Sequence, residues 1–109
     1  MKRMTLVMLC IAMAQIASAQ SSTGTVSIDG IRTGWNLDAF AIETVQPIIN
    51  PASCSAPDGY MIDSTMPGYQ TFLSASLTAF SLNFPVAITV DGTRCVAQRP
   101  RIVGVNIMR

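Results

Sequence analysis

The apolar positions of this chain fall into two rhythms, one of period two and one of three to four. Val26, Ile28 and Ile31 punctuate the segment Thr23 to Thr33, where Asp29-Gly30 marks a bulge or bend. From Trp35 to Val45 the apolar residues start on one parity (Trp35, Leu37, Ala39) and cross to the other (Phe40, Ile42). That shift predicts a bulge or a strand buried on both faces. Tyr60 to Asp63 reads as a short strand. Val86, Ile88 and Val90 alternate with Ala87 and Thr89 up to the turn pair Asp91-Gly92, and Val103, Val105 and Ile107 alternate with Gly104 and Asn106 in a last strand over Arg101 to Met108. The segment Tyr69 to Phe84 differs. Tyr69, Phe72, Leu73, Leu77, Phe80 and Phe84 recur at three- and four-residue spacing, which predicts one amphipathic helix, introduced by Pro67-Gly68 and stopped before Pro85. Phe72, Leu73, Leu77 and Phe80 are expected against the sheet, with Ser74 and Thr78 toward solvent; the rival reading of that stripe is the wall of a ligand groove.

Between the second and third strands, Gln46 to Asp58 carries Pro47, Pro51 and Pro57 with Asn50 and Cys54, the composition of an ordered loop. The order is thus strand, strand, loop, strand, helix, strand, strand. A mainly β fold with one α-helix is expected, in the form of a five-stranded OB-like barrel with the helix between strands three and four. Neither an internal repeat nor a linker divides it.

The first 19 residues follow another logic. Lys2 and Arg3 precede an uncharged apolar run from Leu6 to Ala14, and Ala17-Ser18-Ala19 forms a small-residue cleavage site, so residues 1–19 read as a signal peptide and residues 20–109 as a single exported domain. A membrane anchor would need about 20 apolar residues, and Gln15 and Ser18 interrupt this run. Cys10 follows Leu9 where a lipidation site would have a small residue. The expected location is secreted or periplasmic, without a membrane span once the leader is removed.

Composition sharpens the reading mainly by exclusion. The chain of 109 residues contains no histidine and carries a formal net charge of +1. Without the leader, Arg32, Arg94, Arg99, Arg101 and Arg109 face Asp29, Asp38, Glu43, Asp58, Asp63 and Asp91, and the balance turns negative. That argues against a nucleic-acid partner, which would call for clustered positive charge. Beyond the leader there is also no lysine, which removes Schiff-base chemistry, and the missing histidine removes the commonest general base and metal ligand. Two cysteines remain, Cys54 and Cys95. In an oxidising compartment they are expected to form one disulfide, since a metal pair would lack further ligands and a redox pair would show closer spacing. Closing a loop of about 40 residues is worth roughly 4 kcal/mol in the chain-entropy model, comparable to the whole stability of a small domain.

Tyr60-Met61-Ile62-Asp63, the helical Phe72-Leu73-Ser74-Ala75-Ser76-Leu77-Thr78-Ala79-Phe80, Pro85-Val86-Ala87-Ile88-Thr89-Val90, Cys95 and Pro100-Arg101-Ile102-Val103-Gly104-Val105 together resemble small exported bacterial OB-fold-like proteins. The wider relatives of these include toxin B subunits of the subtilase-cytotoxin type, which are glycan-binding OB-fold pentamers. The resemblance covers about half of the exported chain and bears on fold determinants.

Four residues are candidates for ligand contact. Arg94, Arg99 and Arg101, around the second cysteine, offer forked donors to a carboxylate or phosphate; the alternative is that they balance Asp91 and Asp58 at strand ends. Trp35, the single tryptophan, is suited to stack on a sugar ring or to lie partly in the core. The carboxylate pairs Asp58 with Asp63 and Asp38 with Glu43 are of the type glycosidases use, and Ser53, Ser55 and Ser64 lack both a nucleophile elbow and a histidine partner. The expectation is a binding module rather than an enzyme, with no catalytic residue, metal or cofactor, recognising a glycan or protein ligand. A homo-oligomer or a toxin-like partner subunit is the assembly that fits this reading. The alternatives are a structural or assembly subunit and, more remotely, a small hydrolase.

Overall fold

The computed structural model describes residues 19–34 and 36–109, so the expected leader, all but Ala19, and Trp35 lie outside the described residues. The chain forms β1 (Gln20–Val26), β2 (Ile28–Thr33), β3 (Ala39–Thr44), β4 (Tyr60–Asp63), α1 (Tyr69–Leu82), β5 (Val86–Val96) and β6 (Arg99–Ile107). The mainly β architecture with one helix is as the periodicity predicts. The five-stranded barrel is corrected: six strands form one open sheet in the order β1-β5-β6-β4-β3-β2, with the helix between the fourth and fifth.

The extra strand comes from a corner at Ser27. The expected first strand divides there, and its halves pair antiparallel with different neighbours, β1 with β5 (Val26 opposite Val86) and β2 with β3 (Ile28 opposite Thr44). Ser27 has bonds on both sides of its peptide: its N–H donates to Gln46 Oε1 at 2.9 Å, and its carbonyl accepts the Val45 N–H at 3.0 Å. One residue therefore joins the two ends of the sheet.

β3 is buried on both faces over Ala39 to Ile42, as its parity shift requires. Phe40 and Ile42 enter the main core with Tyr60, Ile62, Val86, Ile88, Val90 and Ile102, whereas Ala39 and Ala41 join Met61 and Val96 in a second cluster. The small alanines leave room for a close cover on that second face. β5 contributes to both clusters. Its register shifts between Val90 and Cys95, so Asp91-Gly92 is a bulge within a long strand and not the strand's end. Asp91 Oδ1 accepts the N–H and hydroxyl of Thr93 there, a local turn that replaces the missing ladder bonds.

Helix α1 starts at Gly68, whose φ of 85° is left-handed; a Cβ there would run into the Phe72 ring. It ends at Asn83, also left-handed at φ 56°, just ahead of Pro85. Its buried side corrects the expected stripe. Tyr69, Ser76 and Ala79 are buried and Phe72 and Leu73 half-buried, but Leu77 is 46% and Phe80 45% exposed. Small residues turn inward because they let the helix sit close to the sheet, and Ser76 satisfies its hydroxyl by donating to the Phe72 carbonyl at 2.6 Å. Tyr69 fixes the phase: its ring packs 5.6 Å from that of Phe40, and its hydroxyl donates to Asp38 at 2.8 Å.

Candidate functional site

The two cysteines meet as expected, in a Cys54–Cys95 disulfide that ties the proline-rich loop before β4 to the end of β5. Cys54 is buried and Cys95 exposed. Asn50 clamps the loop from within, its Nδ2 donating to the Cys54 carbonyl (2.9 Å) and its Oδ1 accepting the Cys54 N–H (2.8 Å). A backbone bond from Ala56 to the Gln98 carbonyl at 2.9 Å then joins loop to hairpin.

Next to the disulfide, Asp58 collects two arginines from distant strands. The Arg99 guanidinium of β6 grips it with two donors, Nε to Oδ1 at 2.5 Å and Nη2 to Oδ2 at 3.2 Å, the bidentate geometry favoured between guanidinium and carboxylate. Arg32 of β2 reaches the same Oδ1 at 3.3 Å through Nη2 and pairs with Glu43 of β3 through Nε at 2.6 Å. Gly59 permits this approach, since a Cβ there would stand 3.1 Å from the Ile42 carbonyl and 3.3 Å from Arg32 Nη2. The hydrogen bond from Arg99 holds the Asp58 carboxyl below its ordinary value, against the opposing effect of desolvation. Because its side chain is 52% exposed, the network's main effect is on geometry, with solvent screening much of its energy.

Arg101, two residues along β6, pairs with Asp91 through Nη1 at 3.5 Å, both side chains being largely covered. Burial pushes the Asp91 carboxyl up, but hydrogen bonds from Thr93 and from the Arg94 backbone, with the charge of Arg101, outweigh it and leave the pKa lowered. Arg99 and Arg101 thus balance Asp58 and Asp91, the alternative the sequence raised for them. Arg94, on the bulge, is exposed. Trp35, the remaining candidate for ligand contact, lies outside the described residues.

The carboxylates that the sequence sets in pairs have separate partners: Asp58 and Glu43 hold arginines, Asp63 accepts from Thr65, and Asp38 accepts from Tyr69. Among the described residues there is no cluster of three or more acidic, cysteine or histidine side chains suited to a metal, no pocket, and no helix long and apolar enough to cross a membrane. Sequence reasoning missed the roles of Arg32, Glu43 and Asn50, offering Glu43 only as a carboxylate partner of Asp38. The first two meet through strand pairing between β2 and β3, and only the Asn-Pro and cysteine spacing of the loop hinted at the third.

Backbone conformation singles out the same corner. Of five non-glycine residues with positive φ among those described, three stand here: Ser53 (54°), Ala97 (45°) and Gln98 (69°). Ala97-Gln98 forms the two-residue turn between β5 and β6, in a backbone form that ordinarily selects asparagine and glycine. Arg99 Nη1 donates to the Ala97 carbonyl at 2.9 Å and steadies it. No family model matches the chain, nor does any curated protein or solved structure.

Proposed function

We propose that this protein is an exported binding module that presents the stapled corner, the β5–β6 turn with the Cys54 loop, to a glycan outside the cytoplasm. The supporting observation is the clustering of left-handed, non-glycine residues where a disulfide, an asparagine clamp and a guanidinium fork all act. Strained backbone persists only where its surroundings over-determine it, and such places are characteristic of ligand-presenting loops. The groups offered to solvent are the hydroxyls of Ser53 and Ser55, the Gln98 amide and the Arg94 guanidinium, donors and acceptors suited to a polyhydroxylated ligand with an acidic substituent. Arg94 takes the anion-contacting role; Arg99 and Arg101 position the turn.

Binding of the disulfide-intact protein to an array of sialylated and neutral glycans tests this proposal. Sialylated glycans are expected to bind, with Arg94→Ala weakening them about ten-fold or more, the scale of a hydrogen bond to a charged group, at unchanged thermal stability. An array without a hit, or binding indifferent to both Arg94→Ala and Gln98→Ala, overturns the assignment.

A further inference from the structure

On the leader reading the exported chain begins at Gln20, and that residue has a defined place in the sheet. It is the first residue of β1 and stands opposite Asp91 of β5, with Ser21 opposite Val90 and Ser22 opposite Thr89. Opposed residues of an antiparallel pair have Cα atoms about 4.5–5.5 Å apart and side chains on one face. Ala19, the last residue before the expected cut, crosses Gly92 so closely that a Cβ there would overlap the Ala19 carbonyl. The bond to be cut therefore lies over the Asp91-Gly92 bulge. β1 is a terminal strand, with β5 as its neighbour in the sheet.

We infer that cleavage after Ala19 creates an ion pair, in which the new Gln20 ammonium docks on the Asp91 carboxylate and fastens the start of β1 to the bulge of β5. Hydrolysis adds water across the Ala19–Gln20 bond, leaving a carboxylate on the departing leader and an ammonium on Gln20. A positive charge thus appears where the precursor has a neutral amide. Asp91 is suited to take it. Its one cation, Arg101 from β6, stands at 3.5 Å, beyond the usual reach of about 2.7–2.9 Å for a charged bond, while Asp58 in the same molecule holds two arginines. β1 itself is uncharged, and Arg94 follows in the same bulge, so Asp91 is the acid this ammonium meets. The pair also protects the new terminus. A free amino-terminal glutamine closes on itself when its unprotonated amine attacks the side-chain Cδ, forming an N–C bond and expelling the amide nitrogen as ammonia; holding the amine protonated opposes that step. The ion pair requires the exported reading of residues 1–19 and is independent of any ligand at the stapled corner.

Beyond the leader the chain has no lysine, so the Gln20 amine is the single primary amine of the exported chain and an amine-selective acylating reagent reports on it alone. Disulfide-intact protein recovered from the exported pool, its first residue identified by mass spectrometry, is compared with Asp91→Asn, whose amide keeps an acceptor for Thr93 but carries no charge. Near about pH 8 the wild type is expected to acylate about three-fold or more slowly, the factor given by half a pKa unit. Urea should make the two label alike, and about 1 M salt should speed the folded wild type on its own. On storage, Asp91→Asn should lose ammonia by ring closure faster than the wild type. A recovered chain that begins elsewhere refutes the leader reading beneath the ion pair. Equal acylation of the two folded proteins, a wild-type rate indifferent to salt, or a wild-type Gln20 already cyclised overturns the inference itself.

Discussion

The stapled corner and the helix end stand at opposite ends of the β5–β6 hairpin, separated by the nine residues of β6, roughly 30 Å of strand. At the corner, order comes from specific bonds: a disulfide, a two-armed asparagine clamp and a guanidinium fork hold a loop of prolines, small residues and left-handed backbone. At the helix end, order comes from close packing of small residues, and large apolar side chains are left facing outward. Directional bonds suit a surface whose shape must not change. Close packing of small side chains suits a helix that must lie near the sheet, and it leaves the larger apolar side chains of α1 at the surface.

Several substitutions would break or sharpen this contrast. The largest effect belongs to neither region but to the core between them: Phe40→Ala should cost about 3–5 kcal/mol in urea denaturation, because the ring is fully buried and leaves a cavity. Cys95→Ser should cost about 2–5 kcal/mol and loosen the corner selectively, visible as faster amide exchange at Ala56 and Arg99 with the α1 amides less affected. The pH response separates two contacts. Asp58 titrates below its ordinary value in the folded protein, so the stability it contributes is present above about pH 4 and is lost as pH falls below that; Asp58→Asn should flatten this part of the acid limb in thermal melts. Tyr69 is pushed up to about 12, first by burial and then by its bond to Asp38, so its contribution is complete below pH 10 and is lost as pH rises from 10 toward 12; Tyr69→Phe should remove that alkaline step. Leu77→Ala should give the smallest change, below about 1 kcal/mol, because the side chain is already half in solvent.

Leu77 also shows where the sequence is misleading. By size and spacing, Leu77 and Phe80 dominate the apolar face of the helix, yet Ser76 and Ala79 face inward, because how closely the helix approaches the sheet decides which side chains fit. The disulfide was legible because chemistry left Cys54 and Cys95 few other roles, and the double burial of β3 because its parity shift admits few explanations. The break at Ser27 was not legible, since Val26 and Ile28 continue one alternation across it and only the pairing partners differ. Asp91-Gly92 carried the signature of a turn and forms one, but inside a strand whose ladder resumes at Cys95. Of the candidate site, the arginines around Cys95 and their balance with Asp58 and Asp91 were legible. The arrival of Arg32 was not, because it depends on a strand pairing and on the missing Cβ of Gly59.

The one-residue corner at Ser27 also sets an order of events. β2 can find β3 once residue 44 exists, a short loop closure, but β1 pairs with residues 86 to 91 and must wait for nearly the whole chain. Until then both edges of Gln20 to Val26, an uncharged and proline-free segment, are open, and one stays open in the folded sheet because β1 is its terminal strand. The bulge at Gly24, with its left-handed φ of 67°, interrupts that edge and gives it a poor template for a stranger to extend.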